Sequence, residues 1–227
     1  MSEREAAEPD AVAVLAALRA HADTAERDRI RRRLPDPAVP VIGVRMGAVF
    51  DIAKAHTALP LGEVERLLDR DEYEARMVAV AVLDFKARAR RIDDAGRREL
   101  YELWMRRIDR MDIWDLIDRS APRVLGLYLL DKPRDPLRRL AASPDRWHRR
   151  TAVVATFLII RAGDLEDPLA ICMQLAGDPE KFVQTALGTA LREVGRIDPA
   201  RLTAFLDDHG HALSADARRV ARTAFAG

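Results

Sequence analysis

A tryptophan and an aspartate, Trp114 and Asp118, lie four residues apart in the stretch 111-MDIWDLIDRSAP-122. Residues four apart share one face of a helix, so an indole and a carboxylate should point the same way near a helix end. Such a pair could stabilise a positive charge on a reacting group. A core aromatic beside a solvated acid is the other interpretation, and spacing alone leaves both open. Of the nearby acids, Asp112 is predicted to be the helix N-cap and Asp115 to be exposed.

Arginine-rich clusters recur along the chain, at residues 28–35, 104–110, 134–140, 146–150 and 218–222. A basic cluster on an amphipathic helix is usually a solvated face. The cluster 146-RWHRR-150 differs because Trp147 and His148 alternate with arginines. Such a cluster could contact phosphate groups, and that binding would weaken with salt.

Other kinds of site find little support. His209 and His211 are two histidines in a loop, which is too few ligands for a metal. Cys172, the single cysteine, lies in an apolar run with no adjacent base and is predicted to be a core thiol. No glycine loop that could cradle phosphates is present. We therefore expect neither a metal nor a cofactor.

The 227 residues are 48% hydrophobic, enough for one substantial core. The net charge of +1 argues against a chain that is basic all over, but not against one basic face. The longest apolar run, 152–160, is too short to cross a bilayer. Residues 1–10 are polar and acidic, unlike a secretory signal. These features predict a cytoplasmic protein that does not associate with membranes.

Helical periodicity fills the chain, and no strand pattern competes with it. Helices are predicted at 10–23 and 24–35, with Thr24 as a cap, before an extended connector at 35–47. The later helices are predicted at 47–57, 61–69, 71–90, 94–108, 111–119, 121–131, 133–142, 145–162, 165–176, 179–194, 198–208 and 213–225.

Some of these helices look alike, for example 74-EARMVAVAVLDF-85, 149-RRTAVVATFLII-160 and 183-VQTALGTALREV-194. Stacked, degenerate helix pairs predict an all-α fold, an α-solenoid of antiparallel helical repeats, with an irregular bundle as the alternative. We expect one domain over 1–227. In it, 1–40 form N-terminal helices and a proline-rich connector, and 41–227 form the repeat array.

Four stretches carry a resemblance to a known family: 43-GVRMGAVFDIAKAH-56, 112-DIWDLIDRSAPRVLG-126, 146-RWHRRTAVVATF-157 and 181-KFVQTALGTALREVG-195. In this order and at these separations they resemble the AlkD-like DNA glycosylases, which are built from HEAT-like repeats and act in DNA alkylation repair. The resemblance covers the chain from about residue 40 to its end.

The resemblance implies an enzyme that hydrolyses the N-glycosidic bond of cationic alkylated purines, such as 3-methyladenine and 7-methylguanine, in duplex DNA without base flipping. Asp118 matches the family's catalytic carboxylate and Trp114 its sugar-packing aromatic. Arg150 matches an arginine that holds the DNA backbone, with Arg149 as the alternative if the register differs by one. Trp147, beside them, is expected to contact DNA. We expect the protein to act as a monomer.

Thr189 departs from the family pattern, because a second catalytic tryptophan usually follows the glycine of the fourth stretch. One hypothesis is a cleft opened for bulky adducts, as in relatives that give antibiotic producers self-resistance. Thr189 is expected to contact DNA. The other hypothesis is a non-catalytic protein of the same fold that binds DNA or acts as a scaffold. A helical adaptor for other proteins is a third possibility.

Overall fold

The computed structural model describes residues 10–226, and every regular element in that range is helical. Residues 1–9, which include most of the acidic N-terminus, lie outside the described residues, as does Gly227. The α-helices in chain order are α1 (Ala11–Ala20), α2 (Thr24–Arg33), α3 (Met46–Ala55), α4 (Leu61–Leu68), α5 (Tyr73–Ala87), α6 (Asp94–Arg106), α7 (Trp114–Ala121), α8 (Asp135–Ala141), α9 (Arg146–Ala155), α10 (Phe157–Arg161), α11 (Glu166–Leu175), α12 (Lys181–Ile197), α13 (Pro199–His209) and α14 (Ala215–Arg222). Within the described residues, no helix combines the length and the apolar character needed to cross a membrane.

Short polar side chains begin many of these helices by accepting a hydrogen bond from a backbone N–H of the first turn. The side chains that do so belong to Asp10, Asp23, Asp93, Asp145, Asp198 and Ser214. The prediction that Thr24 caps α2 was therefore wrong. Asp23 accepts from the Glu26 N–H, and Thr24 is already helical.

Two predicted helices are interrupted. The predicted helix 145–162 divides into α9 and α10 at Thr156. The Thr156 hydroxyl donates to the Val153 carbonyl at 2.7 Å, a bond to the helix backbone of a kind that often bends helices. The predicted helix 121–131 contains a π-helical segment, Pro122–Gly126, that continues directly from α7.

The chain forms two compact units, Met1–Leu116 and Ile117–Gly227. In the first unit, α5 is buried over the whole of 73–84 and packs against α3 and α4. Polar side chains on a helix that is buried on all sides need hydrogen-bond partners within the protein. Glu74 does so by accepting hydrogen bonds from the N–H groups of Ile42, Gly43 and Val44, which fixes the loop that leads into α3.

In the second unit α12 is the central helix, and it packs against α9, α13 and α14. A Cβ added at Gly188 would come within 3.0 Å of Ala217, so the missing side chain allows α12 and α14 to approach closely. Gln184 joins loops of this unit, because its amide donates to the Ala176 and Asp178 carbonyls and accepts from the Ser214 N–H. The prediction that 1–227 form one domain stays a prediction.

Candidate active site

The helix α7 contains both residues of the predicted pair, as the spacing of four indicated. Trp114 is its first residue, and Asp118 follows one turn later. Both side chains are partly accessible to solvent. Neither is therefore a fully buried core residue.

Asp118 forms an ion pair with Arg150 of α9. The Arg150 Nε donates to Oδ1 of Asp118 at 3.0 Å, and Nη2 donates to Oδ1 at 2.8 Å and to Oδ2 at 2.7 Å. The remaining nitrogen, Nη1, donates to the backbone carbonyl of Phe182 in the first turn of α12. The Arg150 side chain is 5% exposed and that of Asp118 is 35% exposed. The arginine is thus enclosed, and one side of the carboxylate faces solvent.

Two opposing influences act on the Asp118 carboxyl. Burial raises its pKa above the ordinary value, because a charged group loses solvation. The charge of Arg150 and its hydrogen bonds favour the ionised form and act against that rise. Burial is the larger of the two influences, and Arg150 partly offsets it.

Arg149, the neighbouring arginine, is engaged elsewhere. Its Nε donates to Oδ2 of Asp178 at 2.5 Å, and Nη1 donates to the carbonyls of Ser143 and Pro144 at 3.1 and 2.8 Å. Asp178 stabilises the charged form, which raises the pKa of Arg149. Arg149 therefore ties α9 to two loops of its own unit.

Trp147 is buried rather than presented at the surface. Its ring packs on that of Phe182 with centroids 5.1 Å apart, and the Arg146 guanidinium lies 4.9 Å from the ring centre. Arg146 also pairs with Glu180 at 3.5 Å. Each arginine of the cluster 146–150 therefore faces a carboxylate. The DNA-contact roles predicted for Trp147, Arg149 and Arg150 stay predictions.

Thr189 lies on α12, seven residues after Phe182 and so on nearly the same face of the helix. Its side chain is partly exposed, and its hydroxyl donates to the Thr185 carbonyl at 3.2 Å. The hydroxyl thus serves the preceding helical turn. An indole at this position would project from the same face.

The segment that leads into α7 is held by contacts that the sequence did not predict. The Tyr73 hydroxyl donates to Asp115, Arg33 lies 3.7 Å from the same carboxylate, and Arg76 donates to Asp112. The prediction that Asp115 is exposed was wrong, since its side chain is 12% exposed. Asp112 was predicted to be the N-cap, but it lies two residues before α7 and its carboxylate pairs with Arg76. No local signal marks these pairs, because the partners are at least 36 residues apart.

Metal and thiol chemistry lack support at this site and elsewhere in the part of the chain that the structure describes. No group of three or more His, Cys, Asp or Glu side chains that could hold a metal ion occurs among residues 10–226. Burial raises the pKa of the Cys172 thiol to about 12, so the thiolate does not form near neutral pH. His209 packs against the ring of Phe205 with centroids 5.1 Å apart.

Two solved structures are similar to the chain over most of its length. One, a predicted DNA alkylation repair enzyme from Enterococcus faecalis, is 16% identical, with a TM-score of 0.63, over 88% of this chain and 95% of its own. The other belongs to a family of proteins related to the HEAT-like repeat DNA glycosylases with affinity for branched DNA structures. It is 17% identical, with a TM-score of 0.66, over 96% of this chain and 94% of its own. The predicted all-α fold of HEAT-like helical repeats is confirmed.

A search of curated proteins finds no match to the chain. The family model described as DNA alkylation repair enzyme matches residues 14–225, nearly the whole chain. The resemblance inferred from the four sequence stretches is thereby confirmed. The chain belongs to the DNA alkylation repair enzyme family.

Proposed function

We propose that this protein is a DNA glycosylase that releases cationic N3- or N7-alkylated purines from duplex DNA. One observation carries the proposal: Asp118, a partly exposed carboxylate on the same helix as Trp114, is held by the buried Arg150 of α9. A carboxylate oriented in this way can stabilise a developing cation. Membership of a DNA alkylation repair family supports DNA as the substrate.

The reaction is hydrolysis of the bond between sugar C1′ and the base nitrogen. The electron pair of that bond leaves with the alkylated base and neutralises its positive charge, so no general acid is required. The sugar becomes an oxocarbenium ion. Asp118 stabilises this cation and orients a water that adds to C1′ and releases a proton. In the proposal the indole of Trp114 packs on the sugar and favours the same charge.

Thr189 bears on which adducts are accepted. A threonine fills less space than the tryptophan expected from the family pattern, and its hydroxyl bonds to its own helix. The smaller side chain favours bulky N3 adducts of adenine over methylated bases. We propose that the enzyme acts without swinging the base into a pocket, which would allow such bulk.

The test is base release from duplexes that carry 7-methylguanine, 3-methyladenine or a bulky N3-adenine adduct. Asp118→Asn keeps the shape of the side chain and removes its charge, and we expect release to fall ~100-fold or more. Asp131→Asn is the matched control, because Asp131 is an exposed acid of the same unit that pairs with Lys132. Equal rates for Asp118→Asn and wild type would refute the catalytic role.

A second candidate function is binding of branched DNA without catalysis. It is favoured by Thr189 and by the similarity to a structure from a family with affinity for branched DNA structures. The same proteins should then be titrated with a four-way junction and a matched linear duplex. No release from any lesion, together with tighter binding of the junction, would establish this alternative.

A further inference from the structure

Arg150 directs its hydrogen bonds into the protein. A guanidinium has five N–H donors. Three contacts go to Asp118 and one goes to the Phe182 carbonyl, and the side chain is 5% exposed. A phosphate contact needs donors that a DNA strand can reach. Arg150 offers almost none, although the family resemblance assigns it to the DNA backbone.

The anchor of Arg150 is part of the helical framework. The Phe182 carbonyl lies in the first turn of α12, and the Phe182 ring packs on Trp147 of α9. The Nη1 end of Arg150 is therefore held in place where α9 contacts α12. Its two remaining nitrogens, Nε and Nη2, then set the position of both Asp118 oxygens. A planar fork that binds two oxygens fixes a carboxylate better than a point charge does.

We infer that Arg150 is a positioning residue, which holds the Asp118 carboxylate in one orientation and in its ionised form and does not bind DNA phosphates. The inference rests on the proposed function, in which Asp118 must be charged to stabilise the sugar cation. A protonated Asp118 would be neutral and could not do so.

The charges around Asp118 explain why Arg150 is needed. From α9, the charged group that contacts Asp118 is Arg150, and α12 contributes the Phe182 carbonyl to the arginine. The neighbouring Glu180 of α12 pairs with Arg146. Burial raises the pKa of Asp118, and Arg150 is the group that opposes this effect. Removing its charge should therefore shift the carboxyl toward its protonated form.

The experiment compares wild type with Arg150→Gln, which removes the charge, and Arg150→Lys, which keeps the charge and loses the fork. Arg134→Gln is the matched control. Arg134 is an arginine of the same unit with 8% exposure, paired with Asp164 and bonded to the Leu130 carbonyl. The titration of Asp118 is followed by carbon-13 NMR of labelled aspartate, assigned with Asp118→Asn. DNA binding is measured across a range of salt concentrations.

In Arg150→Gln we expect the Asp118 carboxyl to titrate at higher pH than in wild type, while Arg150→Lys restores the titration and Arg134→Gln leaves it unchanged. Base release by Arg150→Lys should still fall ~10-fold, because the orientation is lost. The logarithmic dependence of DNA affinity on salt should keep its slope in all variants.

A phosphate contact would behave differently. Its loss would lower DNA affinity for every sequence, reduce the salt slope by about one, and leave the titration of Asp118 in place. That result would overturn the inference. So would an Arg150→Gln variant in which both the titration of Asp118 and the salt slope of DNA affinity are unchanged. If no variant, including wild type, releases bases, the proposed function fails, and the titration and the salt slope still decide whether Arg150 positions Asp118.

Discussion

Glu74 offers a sharp test of how the first family stretch is held in place. This glutamate has no exposed surface, and it accepts hydrogen bonds from the N–H groups of Ile42, Gly43 and Val44 at 2.9, 2.8 and 3.1 Å. Gly43 has a φ of +99°, which other residues rarely adopt, so the loop cannot easily rearrange. Glu74→Gln keeps the size of the side chain and removes one acceptor oxygen and the charge.

The magnitude follows from these three bonds. The glutamine oxygen can still accept from two of the N–H groups, but the amide nitrogen then faces the third donor. One charge-assisted bond is lost, a buried N–H is left unpaired, and two bonds become neutral, which together destabilise the fold by about 2–4 kcal/mol. For a chain of this size, the midpoint of thermal unfolding should fall by roughly 5–15 °C.

The assay is thermal unfolding followed by circular dichroism, combined with hydrogen exchange of the amides at 42–44. Glu102→Gln is the control, because Glu102 is exposed and pairs with Arg98 within one helix, and its unfolding midpoint should not change measurably. A midpoint for Glu74→Gln equal to that of the control, or unaltered exchange at 42–44, would show that this carboxylate does not hold the loop.

Three further predictions concern the site and its support. Thr189→Trp should raise the release of methylated purines ~10-fold, since one base–aromatic contact contributes ~1–3 kcal/mol, and should lower the release of a bulky adduct. Single-turnover release of both lesions tests this, and equal effects on both lesions would contradict it. Base release should decline as pH falls through the raised pKa of Asp118, because protonation removes the negative charge; the decline should begin above the pKa of an ordinary aspartate and be absent in Asp118→Asn. Gly126→Ala would place a Cβ 2.4 Å from the Ala155 carbonyl and should destabilise the fold by about 1–3 kcal/mol in urea unfolding, whereas Gly177→Ala, with nothing within 4 Å, should not.

Much of the secondary structure could be predicted from the sequence, because helical periodicity and helix-ending residues are local signals. The ends of the helices were harder to predict. Asp23 and Thr24 are both good caps, and the choice between them depends on which N–H groups are left free in the first turn. The division at Thr156 coincides with a hydroxyl that bonds to its own helix, and the apolar pattern of 149–160 gives no sign of it.

From residue spacing alone, the candidate site could be predicted only where its members share a helix. A spacing of four residues placed Trp114 and Asp118 one turn apart. The partner of Asp118 is 32 residues away on α9, and the carbonyl that anchors this partner is on α12. Every residue has a backbone carbonyl, so the sequence does not indicate which carbonyl bonds to Arg150. The contact with Phe182 is seen only in the structure. The same holds for Tyr73, whose hydroxyl bonds to Asp115 across 42 residues.

Two adjacent arginines show why a basic cluster overstates the number of unpaired positive charges. Successive residues on a helix point about 100° apart, so Arg149 and Arg150 meet different neighbours. Arg149 meets Asp178 and two loop carbonyls, and Arg150 meets Asp118. If the family match is shifted by one residue, it selects Arg149, which joins two loops to α9, in place of Arg150, which contacts the candidate catalytic carboxylate. Counting arginines treats the two as equivalent, whereas each has a different carboxylate partner.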